Sequence, residues 1–254
     1  MDNALEKRLN ELALRSKHTG RVCVTRFLEP SSAGAVNAAA AGAGVKAAFW
    51  GGYEGAERCL AAFYADEPPG PGDWPILALR IQWNSRFASP GHRDLLGAVM
   101  GLGIERETTG DIAMGEYRGA PCAYLFALQE VADYIAANLE SAGRASLKVS
   151  AAGETPVLTP PEGESLRLTV QQQRLDAVLA AACRLSRGEA QRLIAAGLVK
   201  LNHVPQIRAD ARVNEGDLIS ARGLGRVRVT AFQGESRRGR QIVQVFRYGE
   251  PRKK

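Results

Sequence analysis

The stretch Gln173–Arg222 constrains the fold most. Leu175, Val178, Leu179 and Ala182 recur at i, i+3, i+4 and i+7, the spacing of one apolar helix face. Leu185 and Ser186 break that run. Ser186 can cap a second helix, and Glu189 three residues on completes a capping box. Ala190, Leu193 and Ile194 form the stripe of that helix. Gly197 closes it, because glycine enters the left-handed conformation without strain. Leu198–Leu201 reads as a short strand, Asn202-His203 as a turn, and Gly216-Asp217 as the lead into a strand at Leu218–Ala221. The expected unit is helix–helix–strand–turn–strand, with arginines on its outer faces.

Charge is distributed unevenly along the chain. Residues 173–254 hold 17 Lys and Arg against 7 Asp and Glu, whereas residues 1–172 hold 16 against 20. Arginine dominates the basic half, and its planar fork matches phosphate. A concentrated basic module on a mildly acidic body suits a nucleic-acid binder, because the attraction is local and orients the chain. Charge alone is equally compatible with a merely solvated basic face.

The ordered positions narrow this further. Arg174-Leu175-Asp176, then Ser186-Arg187 with Ala190, then Ile194 with Gly197, Val199 and Asn202, then Val213 with Gly216-Asp217 and Ile219 resemble the S4 RNA-binding domain. His203 stands where that family often has glycine, a departure that bears on the turn and not on the fold. The resemblance implies binding of structured RNA by a basic surface on the two helices and the following turn. Carried onto this chain, it points to Arg174, Ser186, Arg187, Arg192, Lys200, Asn202 and His203, with Arg222, Arg226 and Arg228 extending the surface. Such proteins read RNA shape through phosphates and 2′-hydroxyls, since the narrow major groove hides base edges. Arg187 and Arg192 lie five residues apart, about 140° around a helix of roughly 3.6 residues per turn, so they need not share one ligand. Ion pairs with Glu189 or Asp176 are the competing use for some of these arginines.

The 254 residues leave room for two or three small domains. Ala4–Lys17 reads as an amphipathic packing helix, with Leu5, Leu9, Leu12 and Ala13 inward. Val22–Leu28 reads as a short extended piece and Ala33–Ala48 as a small-residue helix. In Phe49-Trp50-Gly51-Gly52-Tyr53 the aromatics either stack on bases or fill a domain seam, and the seam is the expected use. Pro68-Pro69-Gly70-Pro71-Gly72 marks a boundary. Strands are expected at Ile76–Trp83, within Arg106–Glu116, at Ala120–Leu128 and at Ala145–Val149. Helices are expected at Gly91–Leu102 and at Val131–Ser141, the latter ended by Gly143. This β-α-β-β-α-β order is the ferredoxin-like plan shared by RNA-recognition motifs. Their aromatic signatures are missing, so base stacking on the strands is not expected. Gly225–Phe232 and Gln241–Tyr248 alternate as two strands. The arginines of Ser236-Arg237-Arg238-Gly239-Arg240 between them form either a phosphate grip or a solvated turn.

The expected fold class is therefore α+β. A mixed α/β part covers residues 1–70 and a ferredoxin-like, RRM-like domain residues 73–150. A linker covers 151–168, and an S4 domain with a C-terminal β-hairpin covers 169–254.

A second resemblance runs along most of the chain. His92-Arg93-Asp94-Leu95-Leu96-Gly97-Ala98-Val99-Met100, continuing through Gly101-Leu102-Gly103-Ile104-Glu105-Arg106-Glu107 to Gly110-Asp111-Ile112, resembles a motif of the YlmH family of RNA-binding proteins. Phe27-Leu28-Glu29-Pro30, Gly51-Gly52-Tyr53 and Ala56-Glu57-Arg58 fit the same family, as do Thr169-Val170 and Ser220–Arg226. Where that family often continues Ala-Glu-Arg with further basic residues, this chain has Cys59-Leu60, which leaves Arg58 as the RNA contact of that helix. The resemblance adds His92, Arg93 and Arg106 as contacts. His92 or Asp94 as a helix cap and Asp111 as a turn residue are the plain structural readings.

Other chemistries find little support. His92-Arg93-Asp94 has no DFG and no glycine loop to make a kinase. An acid–base pair of His92 with Asp94 or Asp111 would lack a nucleophile and an oxyanion hole. Gly42 and Gly44 are not followed by the lysine of a phosphate loop. Cys23, Cys59, Cys122 and Cys183 lie far apart and read as reduced thiols, and no metal or cofactor is expected. No apolar run approaches the roughly 20 residues of a membrane span, and the N-terminus has no signal-peptide core. A cytoplasmic, monomeric, non-enzymatic protein is expected. The two resemblances imply its partners: structured RNA (rRNA and tRNA) and the ribosome, on the large subunit; no membrane is expected. The alternatives are an RNA-modifying enzyme of the pseudouridine synthase or methyltransferase type, and a protein–protein adaptor linked to cell division. The first would need a catalytic Asp within a large sheet domain or a glycine-rich cofactor loop, and the only Arg-Leu-Asp here opens the S4 module.

Overall fold

The computed structural model describes residues 3–153, 156–159, 163–236 and 239–249. The chain is mixed α+β and divides into two compact units, Met1–Thr159 and Pro160–Lys254.

The first unit opens with α1 (Asn3–Thr19), which buries Leu9, Ala13 and Ser16 on one face. The buried Ser16 hydroxyl donates to the Phe63 carbonyl at 2.9 Å, so this polar group is satisfied inside the core. Next come β1 (Cys23–Val24) and α2 (Ala33–Ala43). The helix expected to run to Ala48 stops earlier, because Gly44 adopts φ +71 and ends it. The freed residues form β2 (Lys46–Trp50), paired with β3 (Leu60–Tyr64) in a sheet of order β1-β3-β2. Leu60 opens the central strand of that sheet. The run Leu60–Phe63 is fully buried, which suits a strand covered on both faces.

The same unit continues with β4 (Ile76–Trp83), α3 (His92–Gly101), β5 (Thr109–Tyr117), β6 (Ala120–Leu128) and α4 (Gln129–Asn138). Three more strands follow: β7 (Ser141–Ala142), β8 (Ala145–Ala151) and β9 (Val157–Leu158). They form one sheet of order β7-β8-β4-β6-β5-β9, in which every neighbouring pair is antiparallel. Gly143, expected to end α4, instead turns the β7–β8 hairpin with φ +57; α4 has already closed at Leu139. The period-2 alternation of β6 sorts its residues onto two faces. Ala123, Leu125 and Ala127 pack under α3 and α4 with Leu95, Val99 and Ile135. Cys122, Tyr124, Phe126 and Leu128 face the other way, against Phe27 and Leu60. Both faces of the sheet's centre are thus covered, the second by the N-terminal part.

The second unit holds β10 (Gly163–Val170), α5 (Leu175–Cys183), α6 (Arg187–Ala195), β11 (Val199–Leu201) and β12 (Val204–Pro205). It ends with β13 (Leu218–Ala221), β14 (Gly225–Glu235) and β15 (Gln241–Tyr248). The antiparallel sheet runs β10-β15-β14-β13-β11-β12. Two strands, one in each unit, correct the expectation of a linker over 151–168. Val157–Leu158 pairs with β5, and Gly163–Val170 pairs residue for residue with β15. Leu166, Leu168 and Val170 alternate into the core, a strand pattern hidden among the Pro and Glu residues around it. Arg237, Arg238 and the tail from Pro251 lie outside the described residues.

Candidate RNA interface

The helix pair of the second unit is built as its sequence dictates. The Ser186 hydroxyl accepts the Glu189 N–H at 3.2 Å, and the Glu189 carboxylate accepts the Ser186 N–H at 2.8 Å. Ser186 is therefore the N-cap of α6, and its hydrogen bonds hold the Glu189 carboxyl below the usual range. The corner before it turns on Arg184, whose φ of 55 ends α5 in the left-handed region without a glycine.

At this corner the fully buried Asp176 collects the neighbouring donors. Arg174 reaches it with two nitrogens, at 3.1 and 3.0 Å. Arg187 reaches it with Nε at 3.0 Å, and Gln191 with its amide at 2.9 Å. Burial alone would raise the carboxyl's pKa, but the hydrogen bonds from Arg174, Gln191 and Arg187 outweigh that, and it is held below the usual range. The carboxylate fixes one edge of the Arg187 guanidinium while half of that side chain stays exposed. A guanidinium held through Nε keeps two terminal nitrogens as further donors, in the fork geometry that suits a phosphate. Gln191 was not foreseen. Its signal is that it lies four residues after Arg187, hence on the same helix face. Arg192, five residues after Arg187, is exposed on α6.

The remaining basic residues of this unit lie elsewhere on it. Val199, Ile219 and Val227 point into the core shared with the helices. Alternation then places Lys200, Arg226 and Arg228 on the opposite sheet face. The register Lys200↔Ser220↔Arg226 lines up two of these cations across three strands. The Arg226 guanidinium sits 5.1 Å from the Tyr248 ring centroid, and Arg228 donates to the Tyr248 hydroxyl at 2.9 Å. Arg222 is exposed just after β13. Asn202 and His203 form the two-residue β11–β12 turn with φ 49 and 69. His203 thus takes the left-handed conformation that glycine commonly supplies in such turns. The Asn202 side chain is bound within the fold, donating to Asp217 at 2.7 Å and accepting from the Leu218 N–H at 2.9 Å. The expected surface is therefore two groups of cations, one on the helices and one on the outer sheet face.

In the first unit, two of the expected contacts are turned inward. Arg58 is buried and donates to the Thr109 carbonyl at 3.2 Å, to the Arg106 carbonyl at 3.3 Å and to the Phe27 carbonyl at 3.4 Å, and it pairs with Glu29. Burial, with Arg106 nearby, pushes its pKa down to about 10, so it stays charged at neutral pH. Arg106 folds back on its own chain, donating to the Thr109 carbonyl at 2.7 Å and the Gly110 carbonyl at 3.1 Å. Both depart from the expectation for one reason: each guanidinium is engaged by backbone carbonyls of the seam, and the Thr109 carbonyl accepts from both.

Asp111 is also more than a turn residue. It sits at a bulge in β5 and accepts from the Tyr53 hydroxyl at 3.0 Å and from the backbone N–H groups of Glu57 at 2.7 Å and Arg58 at 3.3 Å. Tyr53 stacks on Phe126 at 4.8 Å between ring centroids. Tyr53 is thus the aromatic that fills the seam, whereas Phe49 and Trp50, expected to be buried there, are each 39% exposed on β2. Burial, helped by Asp111, pushes the Cys59 thiol up to about 11. His92 and Arg93 are exposed at the start of α3. The cap there is Asp94, whose carboxylate accepts the Gly91 N–H at 2.9 Å.

Among the described residues, no group of three or more His, Cys, Asp or Glu side chains is placed to hold a metal ion, and no helix is long and apolar enough to cross a membrane.

Residues 3–67 match the family model described as "YlmH, N-terminal", residues 69–155 the one described as "Putative RNA-binding domain in YlmH", and residues 173–219 the S4 domain. The chain is 34% identical over 250 residues to "Ribosome-associated protein quality control protein P2" of Bacillus subtilis (strain 168), covering 97% of this chain and 93% of that protein. The solved structure titled "Cell division protein ylmH from Streptococcus pneumoniae" is similar with a TM-score of 0.48 and 22% identity, over 59% of this chain and 90% of that one. With the buried Asp176 cluster in its S4 domain and the Phe27, Gly51–Arg58 and Arg106–Asp111 motifs joined in one seam, this chain belongs to the YlmH family.

Proposed function

We propose that this protein binds RNA on the ribosome without catalysing a reaction on it. In this reading its S4 domain grips ribosomal RNA and tRNA on the large subunit, in ribosome-associated quality control. The observation that carries the reading is Arg187, aimed by a buried carboxylate and half exposed, on a unit whose residues 173–254 hold 17 basic and 7 acidic side chains. The similarity to a Bacillus subtilis protein named for ribosome-associated quality control supports the ribosomal setting. The same reading takes the protein to be a cytoplasmic monomer.

Crosslinking in cells, followed by sequencing of the bound RNA, tests both class and site. The expected result is enrichment of large-subunit rRNA and tRNA. Enrichment of neither overturns the reading. Mass analysis of RNA incubated with the protein and common cofactors tests the non-enzymatic part, and a newly modified nucleoside would overturn it.

A further inference from the structure

Phe87 is 85% exposed, the highest value among the large apolar side chains described. A single exposed apolar residue is ordinary; the surroundings of this one are not. Phe87 lies between β4 and α3 on a hydrogen-bonded turn. The Asn84 side chain accepts the Arg86 N–H at 3.1 Å, and the Asn84 carbonyl accepts those of Phe87 at 3.1 Å and Ala88 at 3.2 Å. Arg86, His92 and Arg93 on the same segment are exposed, and residues 84–93 contain no Asp or Glu. The next acidic residue, Asp94, is engaged by the Gly91 N–H. The register Trp83↔Leu147 brings the β7–β8 hairpin, with exposed Arg144 in its turn, to the same end of the sheet.

The sheet itself is closed to bases. Its face away from α3 and α4 is occupied by Phe27, Leu60 and Tyr53. An aromatic ring held out among cations has the two elements that bind single-stranded nucleic acid: a stacking platform and a positive track for the backbone. Bases inside a duplex are already stacked, so the available partner is an unpaired one.

We propose that the Asn84–Arg93 loop is a second RNA contact, in which the Phe87 ring stacks on an unpaired base and Arg86, His92 and Arg93 hold the flanking phosphates. This rests on the ribosomal reading above and adds to it a site, a mode and a class of RNA feature. Every base has a stacking face, so the contact tolerates sequence but requires an accessible base.

The test uses the full chain and purified bacterial ribosomes. Binding is measured by co-sedimentation, and base edges are probed with dimethyl sulfate and a carbodiimide. Wild type, F87A, F87L and F87W are compared. Wild type and F87W are expected to protect at least one unpaired base that F87A and F87L leave reactive, with affinity for the last two down about fivefold or more. The remaining protections persist, because Phe87 supports no core. F87A that binds and protects like wild type overturns the proposal while leaving the ribosomal reading intact. F87L equal to wild type also overturns it, since that marks an apolar anchor for a protein. Failure of the wild-type protein to co-sediment with ribosomes overturns the ribosomal reading and this site with it, whereas co-sedimentation with no base protected overturns this site alone.

Discussion

Arg187 donates its Nε to Asp176 across 3.0 Å, joining the first turn of α6 to a carboxylate with no solvent exposure at the start of α5. The helix corner and the candidate RNA grip therefore depend on one buried charge. Removing a buried partner from an ion pair leaves the others desolvated and unpaired. Arg174 and Arg187 keep some solvent contact, so Asp176→Ala is expected to destabilise the second unit by about 3 kcal/mol, the lower end for such losses. Urea unfolding of the full chain measures it.

The same carboxylate predicts a pH response. Its folded pKa lies below the value in the unfolded chain, so its contribution is present above about pH 4 and is lost as pH falls through the folded value. The acid limb of the unfolding curve should therefore flatten in Asp176→Asn. An acid limb unchanged from wild type would place the dominant carboxylate elsewhere.

Lysine cannot replace Arg187. One ammonium cannot satisfy Asp176 and present a second edge to a phosphate, whereas a guanidinium does both. Arg187→Lys is expected to weaken ribosome binding as much as Arg187→Ala. Each should lower the slope of log affinity against log salt by about one phosphate contact. Titrations at several salt concentrations decide it, and recovery of binding by the lysine variant would show a simple point charge.

The helix corner was legible in the sequence because all its determinants are local. The i, i+3, i+4 face, the Ser186–Glu189 cap and the Asp176 alternative for the arginines all lie within sixteen residues. The seam of the first unit was not. Arg58 and Thr109 are 51 positions apart, and the other partners of Arg58, Glu29 and Arg106, lie 29 and 48 positions away. A basic residue in a motif reads as a surface contact until its partners are known. β10 was hidden for a different reason: its strand alternation is interrupted by charged residues that face solvent on an edge of the sheet. Phe87 carried a weak signal, an aromatic between Arg86 and an Ala-Ser-Pro-Gly run with no large apolar residue beside it.

Arg58 is the test of that seam. Arg58→Ala removes a donor from the Phe27 carbonyl, leaves the Thr109 and Arg106 carbonyls only their bonds to each other's residue, unpairs Glu29 and opens a void. Unmet buried acceptors cost about 1–3 kcal/mol each before the void is counted, so a loss of about 3 kcal/mol or more is expected in the first unit. The salt slope of ribosome binding should stay at the wild-type value, because the side chain does not face solvent. A reduced slope with unchanged stability would return Arg58 to the list of RNA contacts.

Gly52 tests the same seam through shape. Its φ is +97, and a Cβ there would lie 2.3 Å from a carbon of the Phe126 ring, which Tyr53 stacks upon. The ring cannot retreat without disturbing the core that includes Leu60 and Tyr124. Overpacking of this kind costs about 1–3 kcal/mol, and a left-handed backbone adds about 1–2 for a residue with a Cβ. Gly52→Ala is therefore expected to lose about 3 kcal/mol. Gly55, also at positive φ (+85) but with open space around it, should lose only the backbone part on the same substitution, about 1–2 kcal/mol. Comparing the two by urea unfolding separates crowding from backbone strain. Equal losses at both positions would show that the seam yields to an added methyl group.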